Sequence, residues 1–145
     1  MWNPNHVNSR ILRALTCFFI DPFFIFYCFS WFLIRFTRHS GHAIPYLNNW
    51  LTDFVFVPLI VHASGIFGYF ILHLKPPHRY PLSQILLLSL MVALVFEYIM
   101  PKYTSYNTAD FIDVLAYLLG GLFYYYVHQQ YTYKRLSRLE QESEI

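Results

Sequence analysis

Charge is scarce in this chain. Only 12% of its 145 residues are Asp, Glu, Lys or Arg, against 57% hydrophobic and 21% aromatic. Soluble domains carry about a quarter charged residues, so the composition argues against a water-soluble domain and for a membrane protein. The net charge is +2 with the bases scattered along the chain, which leaves no nucleic-acid footprint. Cysteine is nearly absent. Cys17 and Cys28 lie on apolar sequence and fit neither a zinc-ligand spacing nor a disulfide framework, so they read as small packing residues. No glycine-rich loop is available to cradle phosphate, and Ser64, Ser83 and Ser89 lack a triad-like setting. With no catalytic motif on view, the expectation is a non-enzymatic protein. The first apolar stretch also lacks a small-x-small exit, so it is expected to remain as a signal anchor.

What the chain does have is apolar runs. The length suits one domain, read as an all-α integral membrane fold of four transmembrane helices. A polar N-terminus and an interfacial helix are expected over about 1–20, a membrane domain over 21–128, and a polar tail over 129–145 running on as a helix into water. The spans are expected over about 22–37, 50–74, 81–99 and 109–127, lengths that cross a bilayer at about 1.5 Å per residue. Asp21-Pro22 supplies an N-cap and a first-turn proline and so separates the interfacial helix from the first span, one kinked helix being the alternative. Pro58 cannot bond to the carbonyl of Phe54, which leaves a free acceptor beside Asp53. Pro81 opens the third span, Pro101 ends it, and Thr108 is expected to cap the fourth.

Orientation follows from the bases. With both termini in the cytoplasm, Arg10, Arg13, Lys75, Arg79, Lys134, Arg135 and Arg138 lie inside, and only Arg35, Arg38 and Lys102 outside. This topology gathers Asp53, Glu97, Asp110 and Asp113 in the outer leaflet and leaves Asp21 alone near the inner face. Acids at membrane level are costly and mark functional sites. Asp53 and Asp110 have a simpler explanation, since a carboxylate in a first helical turn complements the dipole. Glu97, at a helix C-terminus, and Asp113, a turn deeper, need partners. On a helix, Asp113, Tyr117, Gly120 and Tyr124 share one face, either a packing seam with a close approach at Gly120 or a polar site. Arg35, Arg38 and Lys102 are the candidate neutralising groups. Without them, clustered carboxylates call for a metal ion or shared protons, and Mg2+ or another divalent cation held by Asp53, Glu97, Asp110 and Asp113 is the expected cofactor. His39 and His42 are candidate nitrogen ligands in the outer loop. His62 points away from Asp53 and shares a face with His73.

The acid closing the third span, the polar loop and the run D-V-L-A-Y-L-L-G-G from Asp113 to Gly121 resemble the VanZ-like family of small four-span bacterial membrane proteins. The likeness covers about 97–121 and lays the family acids on Glu97 and Asp113 and its glycines on Gly120 and Gly121. The sequence departs from the family at Met100, where a glutamine is usual, at Tyr117, where an asparagine is usual, and in a missing loop arginine. A longer series is similar to small bacterial proteins labelled "magnesium citrate secondary transporter". It comprises P-x-L-N-x-x-L-T-D-F-x-x-x-P-L (45–59), F-E-x-x-x-P (96–101) and T-A-D-x-x-D-V-L-A-Y (108–117). These resemblances imply a protein of the bacterial inner membrane, with envelope biology or transport as the function. Asp53, Glu97, Asp110, Asp113 and Tyr117, with Arg35, Arg38 and Lys102, would hold a small ionic ligand or lipid headgroup. A carrier of this size has no internal repeat, and a homodimer would supply the missing half. A structural membrane subunit is the third reading.

Overall fold

The structure is a computed structural model describing residues 4–42, 44–45, 47–71, 79–104 and 110–143. Helix α1 (Pro4–Phe19) leads to α2 (Pro22–His39) and α3 (Leu47–Ile71). Helix α4 (Leu82–Ala93) passes through a π-helical segment, Leu94–Ile99, into the short α5 (Met100–Tyr103). Helix α6 (Phe111–Phe123) passes through a second π segment, Tyr124–His128, into α7 (Gln129–Ser143), and the described residues contain no strand. Trp50–Gly68, Leu82–Tyr103 and Phe111–Leu139 are long and apolar enough to cross a membrane. Among the described residues, a fourth span is present only if Leu12–Phe19 and Pro22–His39, bent by 48°, count as one. The protein is thus an all-helical membrane protein with three or four candidate spans, and 22–37 does not qualify as a span by itself.

Local chemistry explains the breaks. Asp21 is the N-cap of α2, its carboxylate accepting from the N–H groups of Phe23 (2.9 Å) and Phe24 (3.3 Å), with Pro22 at the first helical position. At the other end, Gly41 adopts φ +71°. Its N–H donates to the Arg38 carbonyl, and the His42 N–H donates to that of Thr37. This is a Schellman stop, and its left-handed residue suits glycine.

Several expected boundaries move. Helix α1 begins at Pro4, so helix takes up nearly all of the stretch expected to hold a polar N-terminus and an interfacial helix. Pro101 does not end its helix. It is the second residue of α5, which runs on to Tyr103, because the preceding π turns set proline at the start of a fresh α turn, where its missing N–H costs little. Asp110, and not Thr108, caps α6; Thr108 lies outside the described residues. Asp53 is the seventh residue of α3, beyond the turn in which a helix dipole would favour it. The tail does not run free into water, since Gln129, Thr132 and Leu136 are buried.

Two apolar clusters hold the helices together. One joins Val57 and Val61 of α3 to Ile85, Val92 and Ala93 of α4 and to Tyr117 and Tyr124. The other joins Ala14, Cys17 and Phe18 of α1 to Ile66 of α3 and Leu136 of α7. Where α6 crosses α3, a Cβ on Gly120 would lie 2.1 Å from the carbonyl oxygen of Phe54. That is the oxygen Pro58 cannot bond, and only a hydrogen fits in that direction. A Cβ on Gly121 would lie 2.5 Å from Ser89 Oγ on α4. The glycine pair therefore sets the approach of α6 to both neighbours. Outward, Phe26, Phe29, Phe32 and Phe36 leave α2 with an exposed aromatic face.

Candidate functional site

Two polar groups sit on the α6–α7 helix, one at Asp113 and one at His128. Fifteen residues separate them, roughly 20 Å at the α-helical rise.

The first group contains the four carboxylates expected from the sequence. Asp53 is half-buried, and its Oδ1 accepts a 2.8 Å hydrogen bond from the Tyr117 hydroxyl. Glu97, in the first π segment, accepts the backbone N–H of Asp110 at 2.9 Å. This sets its charge against the N-terminus of α6, where the dipole favours it and offsets the unfavourable end of its own helix. Asp110 turns its own Oδ1 back to the Ile112 N–H at 2.9 Å. Asp113, half-buried in the first turn of α6, completes the set. Asp53 feels the repulsion of Asp113 and Glu97, and Asp113 that of Glu97 and Asp110.

The three bases have other contacts. Lys102 Nζ lies 3.7 Å from the centroid of the Tyr98 ring. Arg35 lies 5.9 Å from that of Trp31. Arg38 donates to the backbone carbonyl of Asn48, and its charge partly offsets the repulsion at Asp53. Among the described residues no Lys or Arg is ion-paired with a carboxylate. His39 and His42 are exposed, with His42 Nδ1 2.8 Å from the Ser40 carbonyl oxygen. His73 lies outside the described residues.

The second group was not expected. Asp21, His62 and His128 are each at most 1% exposed and come from the α1–α2 junction, α3 and the second π segment. His128 Nε2 is 3.0 Å from Asp21 Oδ1, near enough to pair but misaligned for a hydrogen bond. Its Nδ1 is 3.1 Å from the Tyr27 hydroxyl. Asp21 Oδ2 accepts from the Thr132 hydroxyl at 3.1 Å. His62 Nε2 lies 3.1 Å from the carbonyl oxygen of Phe18, and its ring stacks on His128 with centroids 4.6 Å apart and planes at 23°. Phe24 and Phe23 flank the two imidazoles at 5.1 and 5.0 Å.

The sequence carried a signal for this group. The face running through Tyr117, Gly121 and Tyr124 continues by fours to His128, Thr132 and Leu136, all buried. Reading 129–145 as a solvated tail cut that face short. Nothing local announces the meeting with Asp21, since Asp21 and Thr132 are 111 residues apart. Compared with protein-family models, curated proteins and solved structures, the chain matches none.

Proposed function

We propose that this is a non-enzymatic membrane protein of four transmembrane spans, the first formed by α1 and α2 together as one bent span. In this reading Asp53, Glu97, Asp110 and Asp113 hold a cation or a cationic headgroup at one end of the bundle. The observation that carries it is that Glu97 bonds to the N-terminus of α6, that Asp53 and Asp113 each feel the repulsion of neighbouring acids, and that no Lys or Arg is ion-paired to these carboxylates among the described residues. Such a set is relieved by a cation, and oxygen-only donors suit hard ions such as Mg2+ or Ca2+. Tyr117 orients Asp53, and the Asp110 N–H orients Glu97. The positive-inside count supports both termini in the cytoplasm with the acids facing out, and the resemblance supports a bacterial inner membrane. Together with the VanZ-like resemblance this gives an envelope-related role. The contacts of Arg35 and Lys102 with aromatic rings favour a bare cation over an anionic metal–citrate complex, which would need free bases beside the acids.

Thermal unfolding of detergent-purified protein with Mg2+, Ca2+, Mn2+ or citrate tests the reading. An ion at about a hundred times its dissociation constant adds about 2.7 kcal/mol. The expected result is a stabilised wild type and a double variant, Glu97→Gln with Asp113→Asn, that folds but does not respond. No shift with any of the three ions would remove them as ligands. A response to citrate alone, lost on substituting Arg38, would move the reading to transport.

A further inference from the structure

We propose that Asp21, His62 and His128 form a binding site for a divalent transition-metal ion of the zinc class, separate from the carboxylate group. One ligand atom from each of the three residues lies within 4.8 Å of the other two, and all three side chains are buried. The argument begins with tautomers. The carbonyl of Phe18 can only accept, so His62 Nε2 carries the proton. In the neutral ring, Nδ1 then holds a lone pair, and this nitrogen is buried without a hydrogen-bond partner. A buried acceptor left open is costly, and at 1% exposure bulk water does not reach it.

His128 is prepared in a similar way. Its Nδ1 lies 3.1 Å from the Tyr27 hydroxyl, which can accept from Nδ1–H when a metal ion replaces the proton on Nε2. Nε2 itself sits 3.0 Å from Asp21 Oδ1, the gap that the ion would bridge. Asp21 brings the negative charge, and the Phe23 N–H and Thr132 hydroxyl hold its two oxygens in place. Each ligand therefore has an outer partner that fixes its orientation: the Phe18 carbonyl, the Tyr27 hydroxyl and the Thr132 hydroxyl. Histidines and carboxylates that bind metal are supported in this manner. Two imidazole nitrogens and one carboxylate oxygen suit Zn2+ or Co2+ and are a poor match for Mg2+.

Bonds of about 2.0–2.1 Å require the three atoms to draw inward and the stacked rings to fan apart so that both lone pairs converge. The ion would then clip the α1–α2 junction to α3 and to the start of α7. These elements also meet through a small apolar cluster, Ala14, Cys17, Phe18, Ile66 and Leu136, and through hydrogen bonds from Arg135 to the carbonyls of Cys17 and Ile20.

The test uses full-length protein in detergent, stripped with chelator and titrated with Co2+ and then Zn2+. The expected result is one Co2+ per chain with visible d–d absorption, displaced by Zn2+ and unaffected by millimolar Mg2+. His62→Gln keeps an N–H for the Phe18 carbonyl and should abolish the band. Asp21→Asn keeps the helix cap and should weaken binding at least tenfold. His39→Ala with His42→Ala should leave the band unchanged. The proposal is overturned if wild-type protein binds no Co2+, if binding survives His62→Gln in folded protein, or if the loop-histidine variant abolishes it. Should both site variants fail to fold, the wild-type and loop-variant spectra decide.

Discussion

At the scale of single residues, Gly120 and Tyr117 carry the contact between α3 and α6. Gly120→Ala drives a methyl into the Phe54 carbonyl. Overpacking of this kind costs about 1–3 kcal/mol, and the lower unfolding free energy should be measurable in a denaturant titration. Gly65 is the control. A Cβ there meets nothing closer than 3.9 Å, so Gly65→Ala should stabilise the protein by up to about 1 kcal/mol through helix propensity. If both substitutions have the same effect, the close approach at Gly120 does not set the packing. Tyr117→Phe removes the hydroxyl from Asp53. Interhelical hydrogen bonds in membranes contribute about 0.6–2 kcal/mol, and a loss in that range is expected, with a weaker response to divalent cations. Unchanged stability would show that water or another donor replaces the tyrosine.

At the scale of elements, the two π segments change the most. The first lets α4 continue past Pro101 and carries Glu97; the second carries His128 to Asp21. Departures from α-geometry of this sort gather at functional positions. The docking of α1 on α7 is the other unexpected feature, and Leu136 lies at its centre. Leu136→Ala should loosen this contact and expose Cys17, which is buried in the intact protein. In a Cys28→Ser background, maleimide labelling of Cys17 should speed up severalfold. Equal rates with and without the substitution would show that α7 does not cover α1.

For the whole molecule, exposed apolar surface is the governing fact. Phe29, Phe32, Phe36, Leu87 and Leu119 are each more than half exposed, a cover that water does not tolerate in such continuity. The protein should stay in the membrane fraction through an alkaline carbonate wash and should need detergent for release. Recovery in the wash would contradict a spanning arrangement.

Helix, break and membrane character were written in the chain itself, because each depends on neighbours within one or two turns. Low charge and long apolar runs determined the class. Asp21-Pro22 determined where α2 starts, and Gly120 on its stripe marked a place of close helix approach without saying which helix would meet it. Boundaries that rest on balance were not legible: the π turns before Pro101 and the early start of α3 depend on packing against other helices. Glu97 and Asp110 could be named in advance because they lie near helix ends, whereas Asp53 sits further into α3 than the sequence suggested. The Asp21–His62–His128 group could not be anticipated. Its members are far apart in sequence, and burial alone decides whether a histidine after a run of tyrosines faces water or an aspartate. Only the tertiary structure, by laying α1 against α7, made that decision.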